Sequence, residues 1–125
     1  MKYGKVAALA AAVVMALSAG SAMAGDAAKG EKVFKKCAAC HTIDAGGKNK
    51  VGPNLHGVIG RAAGTLDGFK YSKAMQDSGV TWSAETLDKY LTKPKDFIPK
   101  NKMAFAGLKK DKDREDVIAY IESQK

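Results

Sequence analysis

The sequence has two cysteines, two histidines, three prolines and one tryptophan in 125 residues, and each scarcity closes off a class of molecule. Two cysteines allow a single disulfide. Zinc needs four ligands, and beyond Cys37, Cys40 and His41 only His56 and carboxylates remain, with no second C-x-x-C. No alternating or β-branched run is long enough for a central strand, so the βαβ setting of a thioredoxin-like dithiol is missing. Three prolines and no internal repeat or low-complexity segment leave room for one domain. The few aromatics do not interleave with the lysines as a base-stacking surface would, which argues against nucleic acid.

The first 24 residues, "MKYGKVAALAAAVVMALSAGSAMA", read as a secretory signal. Lys2 and Lys5 precede an apolar run from Val6 to Leu17, and Ala22-Met23-Ala24 supplies a small-residue cut site. An uncleaved anchor is the other reading, since Val6 to Ala24 approaches the ~20 residues that span a bilayer; Ser18, Gly20 and Ser21 weaken it. Cleavage after Ala24 leaves residues 25–125 as the mature domain, exported into a bacterial periplasm. Its net charge falls from +8 to +6. A basic exported surface suits an acidic protein partner or anionic lipid, against the plainer reading of a lysine-rich face that is only solvated.

Both cysteines lie in "KCAACHT", Lys36 to Thr42. In C-x-x-C-H two thiols add to the vinyl groups of a porphyrin, and the adjoining imidazole reaches the iron from one face. Five residues thus fix the ring and its first axial ligand.

The second axial ligand is sought by elimination among His56, Met75 and Met103. His56, in "GPNLHG", lies in a proline- and glycine-marked turn close after His41 and reads as a surface histidine. Met75 shares helical spacing with Tyr71, Ala74 and Ser78, which suits core packing. Met103 stands in "KPKDFIPKNKMAFAG", broken by Pro94 and Pro99 and unable to form a regular helix. Such a loop can aim a thioether at the iron, and Met103 is the better candidate.

The remaining elements read as helices around the ring. Asp26 caps a first helix carrying Val33, Phe34 and Cys37 as an apolar stripe. Gly30 inside it costs ~1 kcal/mol against alanine, which a close helix crossing would explain. "SAETLDKYLTKP" is capped by Ser83, stops before Pro94 and turns Leu87, Tyr90 and Leu91 inward. "DKDREDVIAYIESQK" puts Val117, Ile118 and Ile121 on one face, with Tyr120 beside them. A porphyrin would supply much of the apolar contact of so small a core.

"GDAAKGEKVFKKCAACHT", "VGPNLHGVIGR", Trp82, "LTKPKDFIPKNKM" and "DREDVIAYI" follow one another without a long insertion. Over its whole mature length the chain resembles a mitochondrial-type class I cytochrome c of the kind also found in alphaproteobacteria. The resemblance implies an all-α fold: crossed N- and C-terminal helices, shorter helices and glycine-rich loops around one covalently bound haem c. It implies that Cys37 and Cys40 hold the haem, that His41 and Met103 bind the iron, and that the Pro53 carbonyl orients the imidazole. Arg61, Tyr71 and Trp82 match positions around a buried propionate, and Tyr90 matches the tyrosine beside the methionine sulfur. Gly30, Phe34, Val117 and Tyr120 match the helix crossing. Asn101 stands where vertebrate forms have a propionate-bonding threonine, Met75 where they have an asparagine in a water network, and Asn49 where a histidine ties two loops. Asp96 interrupts the lysine cluster.

A histidine–methionine pair on the iron leaves no open position for substrate, so the resemblance implies a one-electron shuttle and not an enzyme. It further implies a monomer that docks through Lys36, Lys50, Lys95, Lys102, Lys109 and Lys110 around the exposed haem edge, with Lys73 away from it. The family's usual partners are a bc1-type complex and a terminal oxidase; a photosynthetic reaction centre or a periplasmic dehydrogenase would present similar acidic faces, and contact with a membrane surface is at most transient. A gas-binding or peroxidase-like haem enzyme would need an open sixth site, and a dithiol oxidoreductase would hold no haem.

Overall fold

A computed structural model describes residues 25–125; the expected leader, residues 1–24, lies outside them. Among the described residues five helices follow in chain order: α1 Ala27–Phe34, α2 Lys73–Gln76, α3 Ala84–Thr92, α4 Pro94–Phe97 and α5 Asp111–Ser123. Among the described residues the only β pairing is an isolated antiparallel bridge between Ala62 and Thr81. The fold is all-α, as expected. No helix among those residues is long and apolar enough to cross a membrane.

α1 starts at Asp26, whose carboxylate accepts from the N–H groups of Ala28 and Lys29 at 2.9 and 3.1 Å. Two donors that the first turn leaves unpaired are thereby satisfied. The N–H of Asp26 donates to the buried carboxylate of Asp116 at 2.8 Å, and Lys112 Nζ approaches the same oxygen at 3.0 Å. The cap of the first helix is therefore fastened to the last.

Gly30 is what lets the two helices meet. A β-carbon there would lie 1.9 Å from the Asp116 carbonyl oxygen, so the close crossing expected from a glycine inside a helix is present. Phe34 packs on Tyr120 with ring centroids 5.4 Å apart, and Val117 is buried to 1 % exposure beneath them. Gly30→Ala must push the helices apart, at a cost of at least ~1–3 kcal/mol.

α3 opens with a reciprocal cap. Thr86 N–H donates to Ser83 Oγ at 3.1 Å and Ser83 N–H to Thr86 Oγ1 at 2.8 Å. It ends at Thr92 because Lys93, preceding Pro94, is driven to φ −160°, ψ 89°. Leu87, Tyr90 and Leu91 are buried as expected. Arg114 bolts α3 to α5: its buried guanidinium donates to Asp88 at 2.8 Å, to the Leu108 carbonyl at 2.7 Å and to Asp111.

Two segments differ from their sequence patterns. The helical spacing from Tyr71 to Ser78 yields a single turn, α2, capped by Ser72 and followed by Gly79 at φ +70°. The proline-broken stretch still forms one turn, α4, because Pro94 occupies the first helical position, where its missing N–H costs nothing. Residues 101–110 contain no helix.

Candidate functional site

The C-x-x-C-H motif continues the rotation of α1 beyond its end. Cys37 N–H donates to Phe34 O at 2.7 Å, Cys40 N–H to Cys37 O at 3.0 Å and His41 N–H to Cys37 O at 2.9 Å. Residues three and four apart on such a turn share a side, so both thiols and the imidazole project together. The cysteines are unpaired and half-buried. Burial pushes the Cys37 thiol up to about 11, against the opposing pull of Lys36. A dithiol switch needs the reverse, since the thiolate is the attacking species.

His41 is held by the segment that follows. Its Nδ1 lies 2.8 Å from the Pro53 carbonyl oxygen, which can only accept, so Nδ1 carries the proton and the lone pair is on Nε2. Burial, the larger influence, lowers the imidazole from its ordinary value, against the opposing pull of the Pro53 bond. The ring is thus a neutral donor. Gly52 makes room for it: a β-carbon there would lie 2.4 Å from His41 Cε1. Its role went unread in the sequence, where "VGP" signalled only a turn. Asn49 does tie two loops, donating to Gly68 O at 3.3 Å and accepting from Asn54 N–H at 2.8 Å.

Across the core, Tyr90 Oη donates to Met103 Sδ at 3.7 Å. Tyr90 also packs against Trp82 and Phe97, at centroid distances of 5.0 and 6.4 Å. Burial pushes its phenol up to about 12, so it remains a donor. Met75, half-buried on α2, packs against the hydrophobic core. His56 Nδ1 lies 3.1 Å from Ile43 O, a structural contact consistent with the turn read from sequence.

The residues assigned to a propionate are held in different ways. Arg61 and Trp82 are brought together by backbone bonds of 3.0 Å from Trp82 N to Arg61 O and 2.7 Å from Gly60 N to Trp82 O. The Arg61 guanidinium donates to Asn54 O at 3.1 Å and His56 O at 3.4 Å. The Tyr71 hydroxyl accepts from Leu66 N–H at 3.3 Å, keeping its own proton to donate. Asn101 departs from expectation. Both of its amide hydrogens are committed, to Pro94 O at 3.0 Å and Ile98 O at 2.8 Å, and its Oδ1 accepts from Met103 N–H at 2.8 Å. It has no donor left for a propionate and braces the loop instead.

All six lysines expected to ring the haem edge are exposed, but two are not free. Lys50 Nζ donates to Ala38 O at 2.9 Å, and Lys95 Nζ to Asn101 O at 2.5 Å and Met103 O at 3.1 Å. Val51, beside Lys50, is an exposed large hydrophobic, at 80 %.

These residues fit a covalently attached haem. Two unpaired thiols share a side with a neutral imidazole whose Nε2 is free, and a thioether is fixed by a tyrosine from another segment. The indole N–H of Trp82, a residue only 7 % exposed, has no acceptor among the described residues, as a group bonded to a cofactor carboxylate would lack one in the protein itself. The model of the family described as cytochrome c matches residues 27–125. The chain belongs to the cytochrome c family. It is 56 % identical over 101 residues to the cytochrome c of Chlamydomonas reinhardtii, covering 80 % of this chain and 90 % of that one. It is 52 % identical over 108 residues to the cytochrome c2 of Blastochloris viridis, covering 86 % and 85 %. With the cytochrome c2 of Rhodomicrobium vannielii identity is 49 % over 124 residues, 99 % and 98 % of the two chains. The family carries covalently attached haem c and serves electron transport, and Cys37 and Cys40 fit its attachment motif.

Proposed function

We propose that residues 25–125, released from a leader cleaved after Ala24, form a monomeric periplasmic one-electron carrier with His41 and Met103 as the axial pair. One observation carries this reading: each candidate ligand side chain is held by a hydrogen bond with a different segment, His41 Nδ1 donating to the Pro53 carbonyl at 2.8 Å and Met103 Sδ accepting from Tyr90 Oη at 3.7 Å. Held by these two side chains, a haem would supply one-electron chemistry between Fe(III) and Fe(II). The chain's part is to keep both ligands in place through that change, so little reorganises at each transfer. Pro53 keeps the imidazole proton on Nδ1 and raises the basicity of Nε2. The soft thioether and the low dielectric of its surroundings favour Fe(II) and so raise the potential. With His41 and Met103 both holding the iron, no position would be left for substrate, and the chain would catalyse nothing by itself.

Alignment with the Rhodomicrobium cytochrome c2 over all but one residue of this chain reaches into the first 24 residues, which supports an exported carrier. The basic mature surface suits acidic partners, a bc1-type complex as donor and a terminal oxidase as acceptor. An absorption spectrum with electron-transfer kinetics tests the proposal. A low-spin ferric spectrum, reduction by a bc1-type complex and reoxidation by an oxidase are expected. A high-spin ferric spectrum with peroxide turnover would replace the carrier with a haem enzyme.

A further inference from the structure

We propose that Asn101 and Lys95 are positioning residues that together brace the backbone of Met103 and thereby set how firmly its sulfur stays on the iron; this rests on Met103 being the sixth ligand. Met103 belongs to a stretch without helix, residues 101–110, so its peptide groups have no regular ladder to join. Each is taken by a side chain instead. The Met103 N–H donates to Asn101 Oδ1 at 2.8 Å, and the Met103 carbonyl accepts from Lys95 Nζ at 3.1 Å. Lys95 Nζ also donates to the Asn101 carbonyl at 2.5 Å, closing a triangle of three residues.

That triangle is anchored to the core. Asn101 is 4 % exposed and donates to the carbonyls of Pro94 and Ile98 at 3.0 and 2.8 Å. Pro94 is among the most completely buried side chains described. An unbroken line of bonds therefore runs from the packed turn α4 to the ligand's own peptide group. Buried amides with every donor and acceptor satisfied rigidify what they join, and losing one partner strands the others.

The brace also has strain to hold. Lys100, directly before Asn101, has φ +71°, the one non-glycine residue among those described with positive φ. Side chains disfavour that conformation, which persists where surrounding contacts over-determine it. Tyr90 cannot replace the brace, because it reaches only the sulfur and leaves the Met103 backbone untouched.

The test uses the ferric holoprotein and measures how fast imidazole displaces the methionine, read from the loss of the long-wavelength methionine–iron band. At rest the band is expected in every variant of the brace. Asn101→Ala, which leaves the Met103 N–H without its acceptor and takes one of two donors from each of the Pro94 and Ile98 carbonyls, should speed entry about tenfold, and Lys95→Met, which removes the outer bonds, about threefold. Lys95→Arg keeps a multiple donor and should return most of the way to the parent rate. Lys89→Ala removes a positive charge from the exposed side of α3 and should leave the rate alone. Parent-like rates in both Asn101→Ala and Lys95→Met overturn the brace, and should Asn101→Ala fail to accumulate, the exposed Lys95→Met decides alone. Met103→Ala separates the two levels: if it retains the band, the ligand assignment falls and the brace with it. If it loses the band while the brace variants behave as the parent, only the brace falls.

Discussion

Tyr90 and Met103, on segments separated by an intervening turn, meet through a hydroxyl-to-sulfur hydrogen bond of 3.7 Å. The bond draws electron density from the thioether, which weakens its donation to Fe(III) more than to Fe(II). Tyr90→Phe should therefore lower the midpoint potential while leaving the methionine–iron band in place, measured by redox titration.

The same residue predicts behaviour in alkali. Burial moves the Tyr90 phenol from 10.0 to about 12, so between those values the native state keeps a proton that the unfolded chain has released. Its contribution to stability is whole below pH 10 and is lost as pH rises toward 12. Unfolding curves of the parent and Tyr90→Phe should have different slopes in that window and parallel ones below it. Parallel curves throughout would place the phenol in water.

Attachment is tested by extraction and mass. Thioethers at Cys37 and Cys40 should keep the haem on the polypeptide through acid–acetone treatment, and the mature protein should weigh one haem more than the chain from Gly25. Free haem with an unmodified polypeptide would remove the covalent assignment.

For the sixth ligand, Met103→Ala should abolish the long-wavelength band and lower the potential, whereas Met75→Ala should keep the band and lose stability, by ~2 kcal/mol or less for a half-buried side chain. Loss of the band in the Met75 variant alone would exchange the two assignments.

Acid should expose the helix crossing. The Asp116 carboxylate is held below its ordinary 3.8 chiefly by the Asp26 N–H and secondarily by Lys112. Under acid the unfolded chain takes up that proton first, so this stability is present above about pH 4 and falls away as pH drops. Asp116→Asn should be less stable than the parent at pH 7, with the gap closing in acid. A constant gap would mean that the residue acts by packing alone.

What could be read from the sequence was what is local or sterically forced. C-x-x-C-H lies within one helical turn, so its chemistry follows from spacing, and Gly30 announced a close crossing because few other reasons place a glycine inside a helix. Asp116 and Arg114 were not legible. In "DKDRED" they stand among other charges at the start of the last helix, and only the arrival of Asp26 and Asp88 from distant parts of the chain buries and pairs them. Asn101 was misplaced for a related reason. Whether its amide faces a propionate or the backbone depends on the turn at Pro94–Phe97, which a segment read as unable to form a regular helix did not announce.

The lysines decide whether the basic surface is a docking device, and the structure alters which of them can be asked. Electron transfer requires the exposed haem edge to face the partner, so charge around that edge would orient the encounter as well as hasten it. Lys95 is a poor probe, because replacing it also unties Asn101 and Met103. Lys50 is fastened to Ala38 in the attachment turn. Lys36 is exposed and has no side-chain partner among the described residues, which makes it the clean choice. Lys73, already paired with Asp77 at 2.8 Å on the exposed turn α2, is the control away from the proposed face. Lys36→Glu should slow oxidation by an acidic-faced oxidase several-fold at low salt, and Lys73→Glu, with the same change in net charge, much less. The difference should shrink as the Debye length falls from ~30 Å at 0.01 M to ~8 Å at 0.15 M. Since total charge is equal in the two variants, only location can separate them; equal slowing would leave net charge as the sole determinant and abolish the docking face.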